Sequence, residues 1–188
     1  MAHLPDPVND IARFAHSTGW RKGEVLPLRW EQVDRAAGEI RLRTSKNGHG
    51  RVLRLTSELA ELIERRWAMR EYKKDGVTHI SEFVSHQNGD PVADFRNRWA
   101  GACKQAKVPG RIFHDLRRTA VRNMVRAGVP ETVAMAISGH RTRSMFDRYN
   151  IMSTADLWVA IARTQDYLAT LPTERDLAQL PTSEAKPR

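Results

Sequence analysis

Phe113-His114-Asp115-Leu116-Arg117-Arg118-Thr119-Ala120 opens a helix that the apolar spacing and the stop at Gly128 predict over residues 114–127. On such a helix His114 and Arg117 stand one turn apart on one face. Asp115 lies in the first turn, where a carboxylate meets free amides and the positive end of the macrodipole. Toward the C-terminus, Ile137-Ser138-Gly139-His140 sits at a break between two predicted helices, and Tyr149 follows nine positions after His140. Toward the N-terminus, Glu39-Ile40-Arg41-Leu42-Arg43-Thr44 and Arg51-Val52-Leu53-Arg54-Leu55 alternate as the two arms of a hairpin. Lys46 falls in its link, Ser45-Lys46-Asn47-Gly48-His49-Gly50, which is rich in turn formers. Earlier still, Thr18-Gly19-Trp20-Arg21-Lys22-Gly23-Glu24 follows a short helix over 8–17 that Gly19 ends, with Glu24 in reach of the Arg21 guanidinium. Taken singly, each piece has an ordinary reading: a solvated His–Arg pair, a C-cap glycine, a half-buried tyrosine, a surface Arg–Glu pair of little energetic worth.

The rest of the chain reads as mostly helical. Ser57 opens a helix with Leu59, Leu62, Ile63 and Trp67 as its buried stripe. Asn88-Gly89-Asp90-Pro91 is a turn, and further helices are predicted over 93–106, 130–137, 142–149 and 154–171. The fold class expected is α+β: mostly α-helical with one small antiparallel sheet, a hairpin extended to at most three strands. Residues 1–171 are expected to form one domain and 172–188, with Pro172, Pro181 and Pro187, a flexible tail. The 188 residues carry 31 Lys+Arg against 22 Asp+Glu, a formal charge of +9, and 24 of the basic residues are Arg. Arginine suits planar, bidentate contact with phosphate, so this balance points to a polyanion, nucleic acid before membrane. The single cysteine, Cys103, excludes an internal disulfide framework and a cysteine-based zinc site. No apolar run approaches the roughly 20 residues of a membrane span, and the N-terminus lacks the pattern of a signal peptide.

What changes the reading of the single pieces is their order and separation. The set resembles the catalytic domain of the tyrosine recombinase (phage integrase) family, whose pattern is T-G-x-R-x-x-E, a hairpin lysine, H-x-x-R, Gly-His and a tyrosine about nine residues on. Thr18-Gly19-Trp20-Arg21 with Glu24, Lys46, His114-Asp115-Leu116-Arg117, Gly139-His140 and Tyr149 match it over nearly all of residues 8–170. The resemblance implies attack of the Tyr149 oxygen on a DNA phosphodiester, a 3′-phosphotyrosyl bond, a free 5′-hydroxyl, and rejoining by a second 5′-hydroxyl. Storage of the bond in a covalent intermediate removes any need for ATP, and phenoxide, with a phenol pKa of about 10, leaves readily. Arg21 and Arg117 would then clamp the non-bridging oxygens and His140 would add a donor. Lys46 would protonate the departing oxygen, and His114 would assist proton removal from Tyr149 as base or positioner. Glu24 and Asp115 would be supporting residues. No carboxylate pair suited to Mg²⁺ accompanies the set, so neither metal nor cofactor is expected.

The resemblance also implies double-stranded DNA as partner, a homo-oligomer (tetramer) on DNA formed through the C-terminal helix, and a cytoplasmic, nucleoid-associated setting of bacterial or phage type. Arg118, Arg122, Arg141 and Arg143 are candidate phosphate contacts, with a solvated face as the equal alternative. The first box arrives 18 residues in, so the family's N-terminal core-binding domain is expected to be absent and the opening helices shortened. Two other functions fit parts of the pattern: a non-catalytic DNA-binding remnant or regulator, which has no need of Tyr149, and a type IB topoisomerase-like relaxation through the same phosphotyrosine.

Overall fold

The computed structural model describes residues 3–42, 50–149 and 154–172. The chain divides into two compact units, Met1–Ile151 and Met152–Arg188.

In the first unit, α1 (Val8–Thr18) buries Val8, Ile11, Ala12, Phe14 and Ala15, the stripe of an amphipathic helix. It ends at Gly19, whose φ of 70° lies in the left-handed region, where a residue with a Cβ is strained and glycine is not. A Cβ there would also stand 3.2 Å from Ser138 Cβ and 3.3 Å from Ala120 Cβ, so glycine lets three segments close on one another. α2 (Lys22–Val25) is a single turn that stops before Pro27. A 3₁₀ turn, Trp30–Gln32, leads into β1 (Val33–Asp34), β2 (Glu39–Leu42) and β3 (Arg51–Arg54), a three-stranded antiparallel sheet in that order. Ile40 and Leu53 are register partners, both buried, and tie the sheet to the core. α3 (Glu58–Ala68) buries Leu62 and Ile63 as expected, but the stripe also contains Arg66. Its guanidinium is tolerated there because Asp10 of α1, itself buried, lies 3.7 Å away and also pairs with Arg65.

The single sheet expected from the sequence is joined by two small hairpins. β4 (Glu71–Lys74) pairs with β5 (Val77–Ile80), and β6 (His86–Gln87) with β7 (Asp90–Pro91). Their two-residue links, Asp75-Gly76 and Asn88-Gly89, have positive φ at both positions, the mirror-image turn that Asp-Gly and Asn-Gly favour. α4 (Arg96–Gln105) starts three residues later than predicted, because the Asp94 carboxylate accepts a hydrogen bond from the Arg96 amide at 2.9 Å. α5 (Asp115–Arg126), α6 (Glu131–Ser138) and α7 (Arg143–Asp147) complete the unit. α7 is shorter than the expected 142–149: Thr142 caps it, accepting from the Met145 amide at 3.3 Å, and Arg148 closes it. The main core gathers α1, Trp20, Val25, the sheet, α3 and Phe95, and a second cluster sets Val121, Ala134 and Phe146 among Met124, Met135 and Tyr149.

In the second unit the described element is α8 (Thr154–Ala169), with Leu157, Ile161 and Leu168 near helical spacing. It ends two residues before the predicted 171. No described helix is long and apolar enough to cross a membrane.

Candidate active site

The site forms where α1 and α6 end. Both helices finish in a left-handed glycine, Gly19 and Gly139, and the carbonyl groups released there have no partner within their own helices. Arg117, on the inner face of α5 and 2% exposed, donates its Nη1 to the carbonyl oxygens of Gly19 and Ser138. A guanidinium thus sits at the negative ends of two helix dipoles. Its Nη2 is buried and without a hydrogen-bond partner among the described residues.

Arg21 reaches the same place from the other side. Its Nη1 donates to the Gly139 carbonyl and to Glu24 Oε1, each at 3.2 Å, while Glu24 Oε2 accepts from the Arg21 amide at 2.8 Å. Trp20, fully buried beneath, donates Nε1 to the Ile137 carbonyl at 3.0 Å and so pins the start of α2 to the end of α6.

A third guanidinium, Arg51 at the start of β3, was not expected in the site. Its Nη2 donates to Glu24 Oε2 at 2.7 Å, and its Cζ lies 4.6 Å from the Trp20 ring centroid. A Cβ on residue 139 would come within 1.4 Å of its Nη1. Gly139, with φ 72°, therefore serves both the turn and the passage of this arginine. The nearest signal in the sequence was its place at the foot of the hairpin return, which says nothing of Glu24, 27 residues earlier.

Tyr149 closes the far side. Its hydroxyl lies 3.0 Å from His114 Nε2, its ring centroid 4.9 Å from that of His140, and the Arg117 Cζ 6.0 Å from its ring. His114 stands just before α5, and Asp115 accepts from the Ile112 amide at 3.0 Å, fixing the turn that carries the imidazole. His140 is 6% exposed, with Nδ1 2.7 Å from Ser138 Oγ and a buried, unpartnered Nε2 among the described residues.

Three guanidinium groups against the one carboxylate of Glu24 leave this pocket strongly positive. Burial lowers the Arg117 pKa to about 10, with the neighbouring Arg21 charge adding to the effect, yet the group stays charged at neutral pH. Burial, then Arg117 and Arg21, bring His140 down to about 3, so its ring is neutral. His114 is lowered as well, by burial and then by Arg117 and Arg118. Burial pushes Glu24 up, but the Arg21 amide and the charge of Arg51 more than offset it, and its carboxyl lies below the usual range.

Of the residues singled out in the sequence, Arg21, Glu24, His114, Asp115, Arg117, His140 and Tyr149 come together here. Lys46 lies outside the described residues. Arg118 pairs with Asp115 at 3.3 Å and its Cζ lies 5.9 Å from the Tyr149 ring. Arg122 and Arg141 are exposed, and Arg143 is engaged by Glu131 and Asp147. Among the described residues no group of three or more His, Cys, Asp and Glu side chains is gathered to hold a metal ion.

A family model described as the phage integrase family matches residues 7–155. The chain is 30% identical over 140 residues to the shufflon-specific DNA recombinase of Escherichia coli, covering 74% of this chain and 33% of that protein. It is 28% identical over 158 residues to the integrase of Salmonella phage P22, covering 77% and 39%. Among solved structures, the catalytic domain of bacteriophage HP1 integrase superposes with a TM-score of 0.57 at 21% identity, over 90% of this chain and 88% of that one. The chain thus spans between a third and two fifths of the length of these two curated relatives.

Proposed function

Because the chain belongs to the phage integrase family, we propose that residues 1–171 are the catalytic domain of a site-specific recombinase that breaks and rejoins double-stranded DNA through Tyr149. The observation that carries this reading is the Tyr149 hydroxyl, 3.0 Å from His114 Nε2 at the edge of a pocket built from Arg21 and Arg117. In the proposed step the Tyr149 oxygen attacks phosphorus and its proton passes to the lone pair of neutral His114. The bond to the 5′-oxygen breaks, and that oxygen takes a proton from Lys46, the acid assigned by sequence. Charge growing on the non-bridging oxygens meets Arg117 Nη2 and the Arg21 guanidinium, which are held in place before the substrate arrives. Attack by a 5′-hydroxyl on the phosphotyrosine runs the same steps backward and restores the phenol. The cationic charge comes from side chains, and no metal or nucleotide enters the scheme.

Two further parts of the reading concern assembly. α8 carries Leu157, Ile161 and Leu168, all exposed among the described residues. It is assigned to docking on a neighbouring protomer in a tetramer on DNA, in the bacterial cytoplasm where that DNA lies. The test is covalent trapping with a library of nicked duplexes of randomised sequence, read as SDS-stable protein–DNA bands. Wild type should give a band and Tyr149→Phe none, with equal melting temperatures. No band from folded wild type, or the same band from Tyr149→Phe, overturns the proposal.

A further inference from the structure

Ser138 and His140 face each other at the end of α6, and one proton decides what His140 can do. Ser138 Oγ lies 2.6 Å from the Ala134 carbonyl oxygen one turn back and 3.5 Å from that of Met135. Two oxygens at 2.6 Å repel unless a proton lies between them, and that separation is typical of an O–H···O bond. The hydroxyl therefore donates to Ala134 and offers His140 only lone pairs. The Ser138–His140 bond, 2.7 Å from Oγ to Nδ1, must then take its proton from Nδ1. A neutral imidazole has a single N–H. With that proton on Nδ1, Nε2 carries a lone pair, and Nε2 is the buried nitrogen without a partner among the described residues.

A non-bridging phosphate oxygen is an acceptor and cannot bond to a second acceptor. The donor role expected of His140 thus requires another proton. We propose that Ser138 is a positioning residue that holds His140 in its Nδ1–H form, so that His140 engages the phosphate only by taking up a proton on Nε2 as the phosphate enters. This rests on the phosphodiester reading above. The charged and titratable groups around His140 are Arg117 of α5, Arg21 before α2, Arg51 of β3, His114 and Tyr149, with Phe146 of α7 edge-on at 5.6 Å. Burial and then the three guanidinium charges oppose an imidazolium in the free protein, where the ring is neutral at pH 7. An entering phosphodiester anion offsets those same charges and favours the second proton.

The test uses ¹⁵N correlation spectra of the histidine rings in the whole chain, with dimethyl phosphate as probe, a diester monoanion that does not titrate near neutral pH. In the free wild type His140 should show Nδ1 protonated and Nε2 bare, and in Ser138→Ala that preference should be lost. A free wild type with the proton on Nε2 overturns the proposal before any ligand is added. On saturation with dimethyl phosphate both ring nitrogens should be protonated, and the apparent Kd should rise about tenfold per pH unit between the low pKa of His140 in the free protein and its higher value in the complex, as for uptake of one proton. In Ser138→Ala the neutral ring can present Nε2–H directly, so this slope should flatten. Phosphate-induced shifts with His140 still neutral overturn the proposal alone. The absence of any shift in the site removes the phosphate pocket, and the proposal with it.

Discussion

Replacing Arg51 by methionine tests whether the unexpected third arginine braces the site. The substitution removes the bond from Nη2 to Glu24 Oε2 at 2.7 Å, between side chains each 16% exposed, and the stacking on Trp20. A hydrogen bond to a charged group is worth about 1.5–3 kcal/mol, and the cation–π contact adds about 0.5–1 kcal/mol. Against this, the variant relieves repulsion, since the charge of Arg51 opposes that of Arg117. The methionine stem keeps its apolar cover over Trp20. The balance is a loss of about 2 kcal/mol, and at about 2–4 °C per kcal/mol for a chain of this size Tm falls by about 4–8 °C at pH 7. The pH dependence has a definite sign. Glu24 is held below its usual pKa partly by Arg51, so its contribution is present above the unfolded value and is lost as pH falls through the folded one. The deficit of Arg51→Met should therefore be full at pH 7 and narrow in acid, once Glu24 is protonated in both proteins. Thermal melts of the two proteins from neutral pH down into the range where Glu24 protonates provide the measurement. Equal Tm values at pH 7, or a deficit unchanged in acid, refute the brace.

Gly139→Ala places a Cβ against Arg51 at a left-handed residue, a backbone cost of about 1–2 kcal/mol before the arginine is displaced. Because both changes break the same bond to Glu24, the Gly139→Ala/Arg51→Met double variant should melt well above the additive expectation, and additivity would separate the two residues. Asp10→Asn leaves the buried Arg66 guanidinium without its countercharge, and should cost about 3–5 kcal/mol, read as a lower midpoint in urea with an unchanged slope. Formation of the phosphotyrosyl adduct should rise with pH as His114 loses its proton, with its midpoint below the usual imidazole value of 6.5, because burial and then Arg117 and Arg118 lower its pKa. A midpoint above that value would assign the base to another group.

The parts of the fold legible in the sequence are those fixed by local backbone chemistry. Gly19 and Gly139 end helices where the chain must turn left-handed, and the apolar stripe of α1 reads directly as its buried face. The β4–β5 hairpin was equally local, carried by Asp75-Gly76 with φ of 53° and 79°. Its strand burial pattern is almost wholly exposed, though, so no alternation of apolar and polar residues marked its arms. What spacing could not reveal is pairing between elements. Arg66 occupies the buried stripe of α3 only because Asp10 of α1 lies opposite. Arg51 enters the site only because Gly139 leaves room for it and Glu24 receives it.

The same distinction explains why the candidate site could be read as an ordered set while its protonation states could not. Each motif residue is tied to a local break: Arg21 to the turn after Gly19, His140 to the turn after α6, His114 to the start of α5. The chemistry depends instead on what those breaks release when they meet. The carbonyls of Gly19 and Ser138 come from the C-terminal ends of two different helices, and their convergence supplies acceptors for the buried Arg117 guanidinium, whose pKa burial and then Arg21 lower to about 10, so that it stays charged. Burial, joined by that charge and by Arg21 beside it, in turn keeps His140 neutral. Removing either carbonyl's alignment, as a residue other than glycine at 19 would do through contacts of 3.2–3.3 Å with Ser138 and Ala120, should therefore disturb the arginine and the histidine together. Gly19→Ala should loosen the Arg117 anchorage and raise the His140 pKa in the same variant. A ring ¹⁵N titration in which His140 keeps its wild-type value despite displaced Arg117 resonances would show that the two are held independently.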